Sequence, residues 1–275
     1  MAFSARRILV PVVLLALAGP VLGGCGDDGR SPAAASPSPT SLPRAAPDPD
    51  ERCPIDVPGD PLVLTTEDRL PLAAARYGSG QRAVVLVHQR GSDLCGWADH
   101  VPDLVALGLQ VLAIDLRCHG YSECPVDDAG DDLSRDYAAD VGAAVAELDR
   151  TGAAKVGVMG ASLGAAAAFV AAGRYPDAID AVVGLSIFSA SASVSATGVT
   201  SASDAAAHVT APTLICLSTG DSSSIQEGVA DTLIAAGTAR ANSSVVVRSG
   251  GTHGWDLLVD PTVKQEVVTF LKAHI

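Results

Sequence analysis

Basic residues are scarce in this chain. Lys and Arg number 18 against 31 Asp and Glu, for a formal net charge of -13 at pH 7. So acidic a surface excludes a nucleic-acid binder and an electrostatic grip on anionic lipid, and it gives no reason to expect a polyanionic substrate. Closely spaced cysteines are missing as well. None of the six cysteines stands in a Cys-x-x-Cys pair, which argues against a zinc site, so no metal is expected. Long apolar runs are also lacking. The stretch at 8–17 is interrupted by Pro11 and is too short for a comfortable membrane span. No internal repeat is evident.

What the amino terminus does contain is an export signal. Arg6 and Arg7 precede the short apolar stretch, and small residues lead to a cysteine in Leu22-Gly23-Gly24-Cys25. This is the layout of a secretory signal over residues 1–24. The Leu-Gly-Gly-Cys ending resembles a bacterial lipobox. That resemblance implies cleavage before Cys25, lipidation of its thiol, and anchoring to the outer face of the bacterial cytoplasmic membrane. Residues 25–50 are rich in Pro, Ser, Ala and Asp, with few large apolar side chains. Such a segment cannot build a core and reads as a disordered tether. Residues 51–275 then suffice for one α/β domain.

Within that domain, short apolar runs alternate with helix-like stretches. Runs at 61–64 and 70–75 read as an opening hairpin. Buried strands are expected at 83–87, 110–114, 155–159, 181–185, 213–217 and 244–247, and helices at 97–107, 133–148 and 261–273. Continuous apolar strands separated by helices imply a mostly parallel sheet covered on both faces. Sites in such sheets form at the carboxyl ends of the strands.

One such end carries Gly160-Ala161-Ser162-Leu163-Gly164, between the apolar run ending at Met159 and the Ala-rich run 165–172. A strand, a tight turn and a helix in succession lift a serine hydroxyl to a helix N-terminus, where N–H groups can stabilise an oxyanion. With 27 glycines in the chain, the pentapeptide has little weight alone. Its weight comes from what accompanies it. Val87-His88-Gln89-Arg90-Gly91, then Asp115-Leu116-Arg117-Cys118-His119-Gly120-Tyr121-Ser122, the serine turn, Gly220-Asp221 and Gly251-Thr252-His253-Gly254-Trp255 follow in chain order. Residues 83–273 thereby resemble the α/β-hydrolase superfamily, and among its members the serine esterases and dienelactone hydrolases.

The resemblance implies a Ser162, Asp221, His253 triad cleaving a carboxylic ester of a small molecule through an acyl-enzyme, with no cofactor. His253 follows the last strand. His88, His100, His119, His208 and His274 do not, and Asp204 and Asp231 lack the preceding strand that Asp221 has. Amide cleavage or acyl transfer would use the same three residues, and a non-catalytic binding protein of this fold is the contrasting class. For the oxyanion hole, one donor is the N–H of Leu163. The other belongs to the loop after 83–87, from Gln89 or Arg90, because Gln89 stands where relatives have glycine. Cys53, Cys95, Cys118 and Cys124 allow three disulfide pairings, and a bridge from Cys95 to Cys118 or Cys124 would brace the site's edge. Cys216 reads as a buried free thiol. The stretch 187–210 is too short and polar for a large lid, so a minimal cap and an open pocket are expected.

Overall fold

The structure, a computed structural model, describes residues 47–53, 55–126, 128, 130, 135–187, 201–221 and 242–275. The expected signal (1–24), Cys25 and nearly all of the tether lie outside these residues. Among the described residues no helix is long and apolar enough to cross a membrane.

The elements run α1 (Pro49–Arg52), β1 (Gly59–Thr65), β2 (Pro71–Tyr77), β3 (Arg82–Val87), a 3-10 turn (Leu94–Trp97), α2 (Val101–Ala106), β4 (Gln110–Ile114), α3 (Tyr137–Arg150), β5 (Lys155–Ala161), α4 (Leu163–Arg174), β6 (Ala181–Leu185), α5 (Ala202–Ala206), β7 (Thr213–Ser218), β8 (Ser244–Arg248), a second 3-10 helix (Gly254–Val259) and α6 (Pro261–His274). The described strands form one sheet in the order β1-β2-β4-β3-β5-β6-β7-β8. β1 and β2 are antiparallel to their neighbours, and every pairing from β4 to β8 is parallel.

The alternation of side chains along β3 explains the layering. Val85 and Val87 enter a core shared with Val141 and Leu148 of α3 and Phe169 of α4. Val84 and Leu86 enter the opposite core with Trp97, Val101 of α2 and Val263 and Leu271 of α6. A strand buried on both faces must be apolar throughout, as 83–87 is. α4 is buried along nearly its whole length. Its alanines let it sit close to the sheet and between α3 and α5, and a helix apolar on all sides belongs in such a place.

Local signals set most helix ends. The Asp136 carboxylate accepts from the Ala139 N–H at the start of α3. Asp260 caps α6 with Pro261 in its first turn, and Ser201 and Asp204 form a reciprocal capping box on α5. Two expected boundaries differ. The helix expected at 97–107 is a 3-10 turn followed by a shorter α2, because Pro102 belongs to a first turn rather than a helix interior. α3 runs Tyr137–Arg150 rather than 133–148, because Asp136 caps its start.

β3 is the point where the sheet order reverses. β4 lies on one side of it, and the chain returns to place β5 on the other, with Val87 opposite Gly160. The loops leaving β3 and β5 therefore open a crevice at their carboxyl ends.

Candidate active site

Ser162 ends β5 and opens α4 with φ 52° and ψ -113°, a conformation that non-glycine residues rarely adopt. Its own N–H stays in the sheet, donating to the Leu185 carbonyl of β6 at 2.8 Å. Both flanking glycines are required by space. A β-carbon on Gly160 would lie 2.2 Å from the Gly164 carbonyl oxygen, and one on Gly164 would lie 2.3 Å from that of Val87. The pentapeptide is thus a close-packed elbow whose helix N-terminus abuts the end of β3.

Asp221 and His253 are brought together. Nδ1 of His253 lies 2.8 and 2.9 Å from the two carboxylate oxygens of Asp221. The Asp221 side chain is 2% exposed and the His253 side chain 33%. The pairing follows from parallel neighbours β7 and β8, which release their chains side by side. Beyond the strands the two loops stay joined, with Thr219 N–H donating to the Arg248 carbonyl and Gly220 N–H to the Gly250 carbonyl. The Ser218 hydroxyl adds a bond to the Thr252 carbonyl at 2.8 Å.

A second set of contacts seats the histidine loop over the elbow. The Gly254 N–H donates to Ser186 Oγ at 3.0 Å. Ser186 itself is buried at the end of β6 with φ 51°. A β-carbon on Gly254 would stand 3.6 Å from that of Ala161 and 2.1 Å from Gln89 Oε1. The residue after His253 therefore lies against the residue before Ser162. Further along, a β-carbon on Gly96 would meet the Trp255 ring at 2.3 Å, and Trp255 packs edge-on against Trp97 with ring centroids 5.5 Å apart.

The loop after β3 carries Gln89 and Arg90, from which the second oxyanion donor is expected. Leu163 is buried at the first turn of α4, Gln89 is half-buried and Arg90 is exposed. The buried Gln89 Oε1 finds no hydrogen-bond partner among the described residues. His88 holds this loop in shape. Its Nδ1 donates to the Gln89 carbonyl at 2.8 Å, and its Nε2 accepts from the Leu116 N–H at 3.0 Å. An imidazole accepting a backbone N–H is neutral, and complete burial pushes its pKa down to about 4. Three other histidines and Asp204 also have structural places. His119 Nδ1 bonds the Arg117 carbonyl, His100 contacts Trp97, His274 contacts Phe270, and Asp204 caps α5. Asp231 lies outside the described residues, as does most of the stretch 187–210 in which no large cap was expected.

The disulfides are Cys53–Cys95 and Cys118–Cys124, and Cys216 is free and buried. A bridge from Cys95 to Cys118 or Cys124 is therefore not made. The Arg52 guanidinium grips Asp115 and brings Cys53 up to Cys95, while the turn from β4 folds Cys118 back on Cys124. Cys118, Cys124 and Asp128 place ligand atoms within 4.8 Å of one another, but the bonded sulfurs offer no thiolate to a metal.

Sequence reasoning missed Ser186 and Ser218, whose only signal is a hydroxyl directly after or at the end of an apolar strand. It also left Arg52 and Asp115 without a role, and nothing local marks Arg52.

A family model for the alpha/beta hydrolase fold matches residues 82–206. The Pyrococcus furiosus esterase Pf2001 superposes with a TM-score of 0.63 at 19% identity, over 84% of this chain and 98% of that one. A thermophilic esterase from Thermogutta terrifontis gives 0.63 at 18% identity, over 78% and 100%. A monoacylglycerol lipase from Paleococcus ferrophilus gives 0.58 at 18% identity, over 72% and 99%. No curated protein matches the chain by sequence. The chain has the α/β-hydrolase fold.

Proposed function

We propose that this protein is a serine hydrolase that cleaves carboxylic esters of small molecules through an acyl-enzyme. The observation that carries the reading is the Asp221–His253 pair on a loop that Gly254 seats beside the strained Ser162 elbow. With Nδ1–H committed to Asp221, the Nε2 of His253 is unprotonated and accepts the Ser162 proton. The Ser162 oxygen then adds to the ester carbonyl. The resulting oxyanion is held by the N–H of Leu163, at the positive end of α4, and by an N–H of Gln89 or Arg90. Collapse expels the alcohol with the proton returned by His253, and water repeats the sequence to release the acid. Buried Asp221 keeps the imidazole in the required tautomer and stabilises its cation. Solved esterases of the same fold support an ester as the substrate class.

We also propose that the protein is exported and anchored through lipid on Cys25. The signal-like residues 1–24 support this, as do two disulfides, which persist in oxidising compartments.

A fluorophosphonate probe and p-nitrophenyl esters of graded acyl length test the enzymatic reading. Labelling and turnover in the wild type, both abolished by Ser162→Ala, are expected. A folded wild type that neither labels nor hydrolyses any ester or matching amide would overturn it in favour of a binding protein.

A further inference from the structure

The short helix α1 forms a clamp on the loop that follows β3, where the second oxyanion donor is expected. Arg52 reaches from the end of α1 to Asp115, with Nη1 2.7 Å from Oδ2 and Nη2 3.0 Å from Oδ1. The same Nη2 lies 2.8 Å from Asp93 Oδ2. Asp115 is fully buried, and the Arg52 side chain is 9% exposed. The remaining acceptor capacity of Asp115 takes the N–H of Leu94 at 2.8 Å and that of Tyr121 at 2.8 Å. Asp93, in turn, accepts the N–H of Cys95 at 2.9 Å, and Cys95 is bonded to Cys53, the residue after Arg52.

Residues 93–95 are thus held from behind by two carboxylates, and Arg52 is the cation that both share. The guanidinium is closely packed. The Tyr121 ring lies over the guanidinium at 4.7 Å, and a β-carbon on Gly120 would stand 2.6 Å from Arg52 Nη2. An unpaired buried carboxylate is strongly unfavourable, and here it would do a second kind of harm. Its negative charge would sit behind the loop that must receive a developing oxyanion, in a setting where charge is poorly screened.

We propose that Arg52 is a positioning residue for ester hydrolysis. It neutralises Asp115 and Asp93, and so fixes the loop of Gln89 and Arg90 in the geometry that receives the oxyanion. This inference rests on Ser162 being the nucleophile. A positioning role predicts loss of transition-state stabilisation with little change in ground-state binding.

The test compares the full-length wild type with Arg52→Gln, Arg52→Lys and the double variant Arg52→Gln/Asp115→Asn. The readouts are p-nitrophenyl acetate turnover, the Ki of a trifluoromethyl ketone that forms a tetrahedral adduct, and Tm. Arg52→Gln is expected to lower kcat by about tenfold to hundredfold with KM within about threefold, since misplacement of this kind costs about that much. The Ki of the ketone is expected to rise by the same factor as kcat/KM falls. The double variant removes the buried carboxylate charge together with its partner and is expected to recover part of kcat, because asparagine has one oxygen where the carboxylate accepts the N–H groups of both Leu94 and Tyr121. If Arg52→Gln does not fold, Arg52→Lys carries the test. It keeps the charge but cannot bond both carboxylates as a fork, and a kcat loss of about tenfold is expected. A lower Tm with kcat and Ki unchanged, well below the unfolding temperature, would leave Arg52 a purely structural residue and overturn the inference. A wild type inert to ester and fluorophosphonate alike would instead overturn the hydrolase reading beneath it.

Discussion

The backbone N–H of Gly254 donates to the hydroxyl of Ser186 across 3.0 Å, tying the histidine loop to the end of β6. Both partners are buried. Ser186→Ala would leave that N–H without its acceptor, at a cost of about 1–3 kcal/mol. The φ of 51° at this position is already strained and is no better suited to alanine. Urea unfolding is expected to show the loss, with kcat falling while KM stays close to the wild-type value. Unchanged stability and unchanged kcat would show that the bond contributes nothing.

Gly254 also marks where the histidine loop meets the oxyanion loop. Gly254→Ala places a β-carbon against Gln89 Oε1 and requires a non-glycine residue at φ 61°. The backbone part costs about 1–2 kcal/mol. The steric part falls on the far end of a side chain, which can move. Adding Gln89→Ala is therefore expected to restore some of the lost activity but not the stability lost to backbone strain. Esterase assays and thermal melts of the single and double variants separate the two.

At Gly164 nothing can move aside. A β-carbon there lies 2.3 Å from the Val87 carbonyl oxygen and 2.5 Å from that of His88, both backbone atoms. Gly164→Ala must push α4 away from β3 and is expected to destabilise the fold by about 3 kcal/mol or more. A variant with wild-type Tm would contradict the close-packed elbow.

His88 makes stability depend on pH. Its folded pKa, pushed by burial to about 4, lies below the usual 6.5 of the unfolded chain. Between those values the unfolded state binds a proton that the fold does not, so stability rises with pH through this window. The contribution is complete above about pH 6.5 and is lost as pH falls towards 4. Its full size is on the order of 3 kcal/mol. Urea titrations from pH 4 to 6.5 are expected to give a shallower slope for His88→Gln than for the wild type. Parallel slopes would refute the assignment.

The two disulfides close loops of very different length, with separations of 42 and 6 residues. By loop entropy the long one contributes about 4 kcal/mol and the short one about 2 kcal/mol. Cys53→Ser/Cys95→Ser is accordingly expected to lose about twice the stability lost by Cys118→Ser/Cys124→Ser. Equal losses in urea unfolding would show that chain entropy is not what separates them.

Most strands were legible because a strand buried on both faces must be a continuous apolar run, as at 83–87 and 110–114. The elbow was legible because strand, glycine-flanked serine and alanine-rich helix are contiguous. Helix starts were less so. Pro102 and Asp136 act through a single bond or a single ring, and they shifted α2 and α3 from the positions that hydropathy alone suggested. The disulfide pairing was not legible at all, because Cys53 meets Cys95 where Arg52 is held by Asp93 and Asp115, and the Arg52–Asp115 contact joins positions 63 residues apart.

Periodicity and local turn chemistry, written into neighbouring residues, determined by themselves the α/β class, the order of strands along the chain and the places where a nucleophile, an acid and a base would be sought. The spatial order of the strands, with β3 set between β4 and β5 and β7 beside β8, was decided only by tertiary packing. That packing closed Asp221 onto His253, set Ser186 under Gly254 and turned Arg52 onto Asp115. Contacts of this kind depend on which distant segments share a sheet edge, and no short stretch of sequence carries that information.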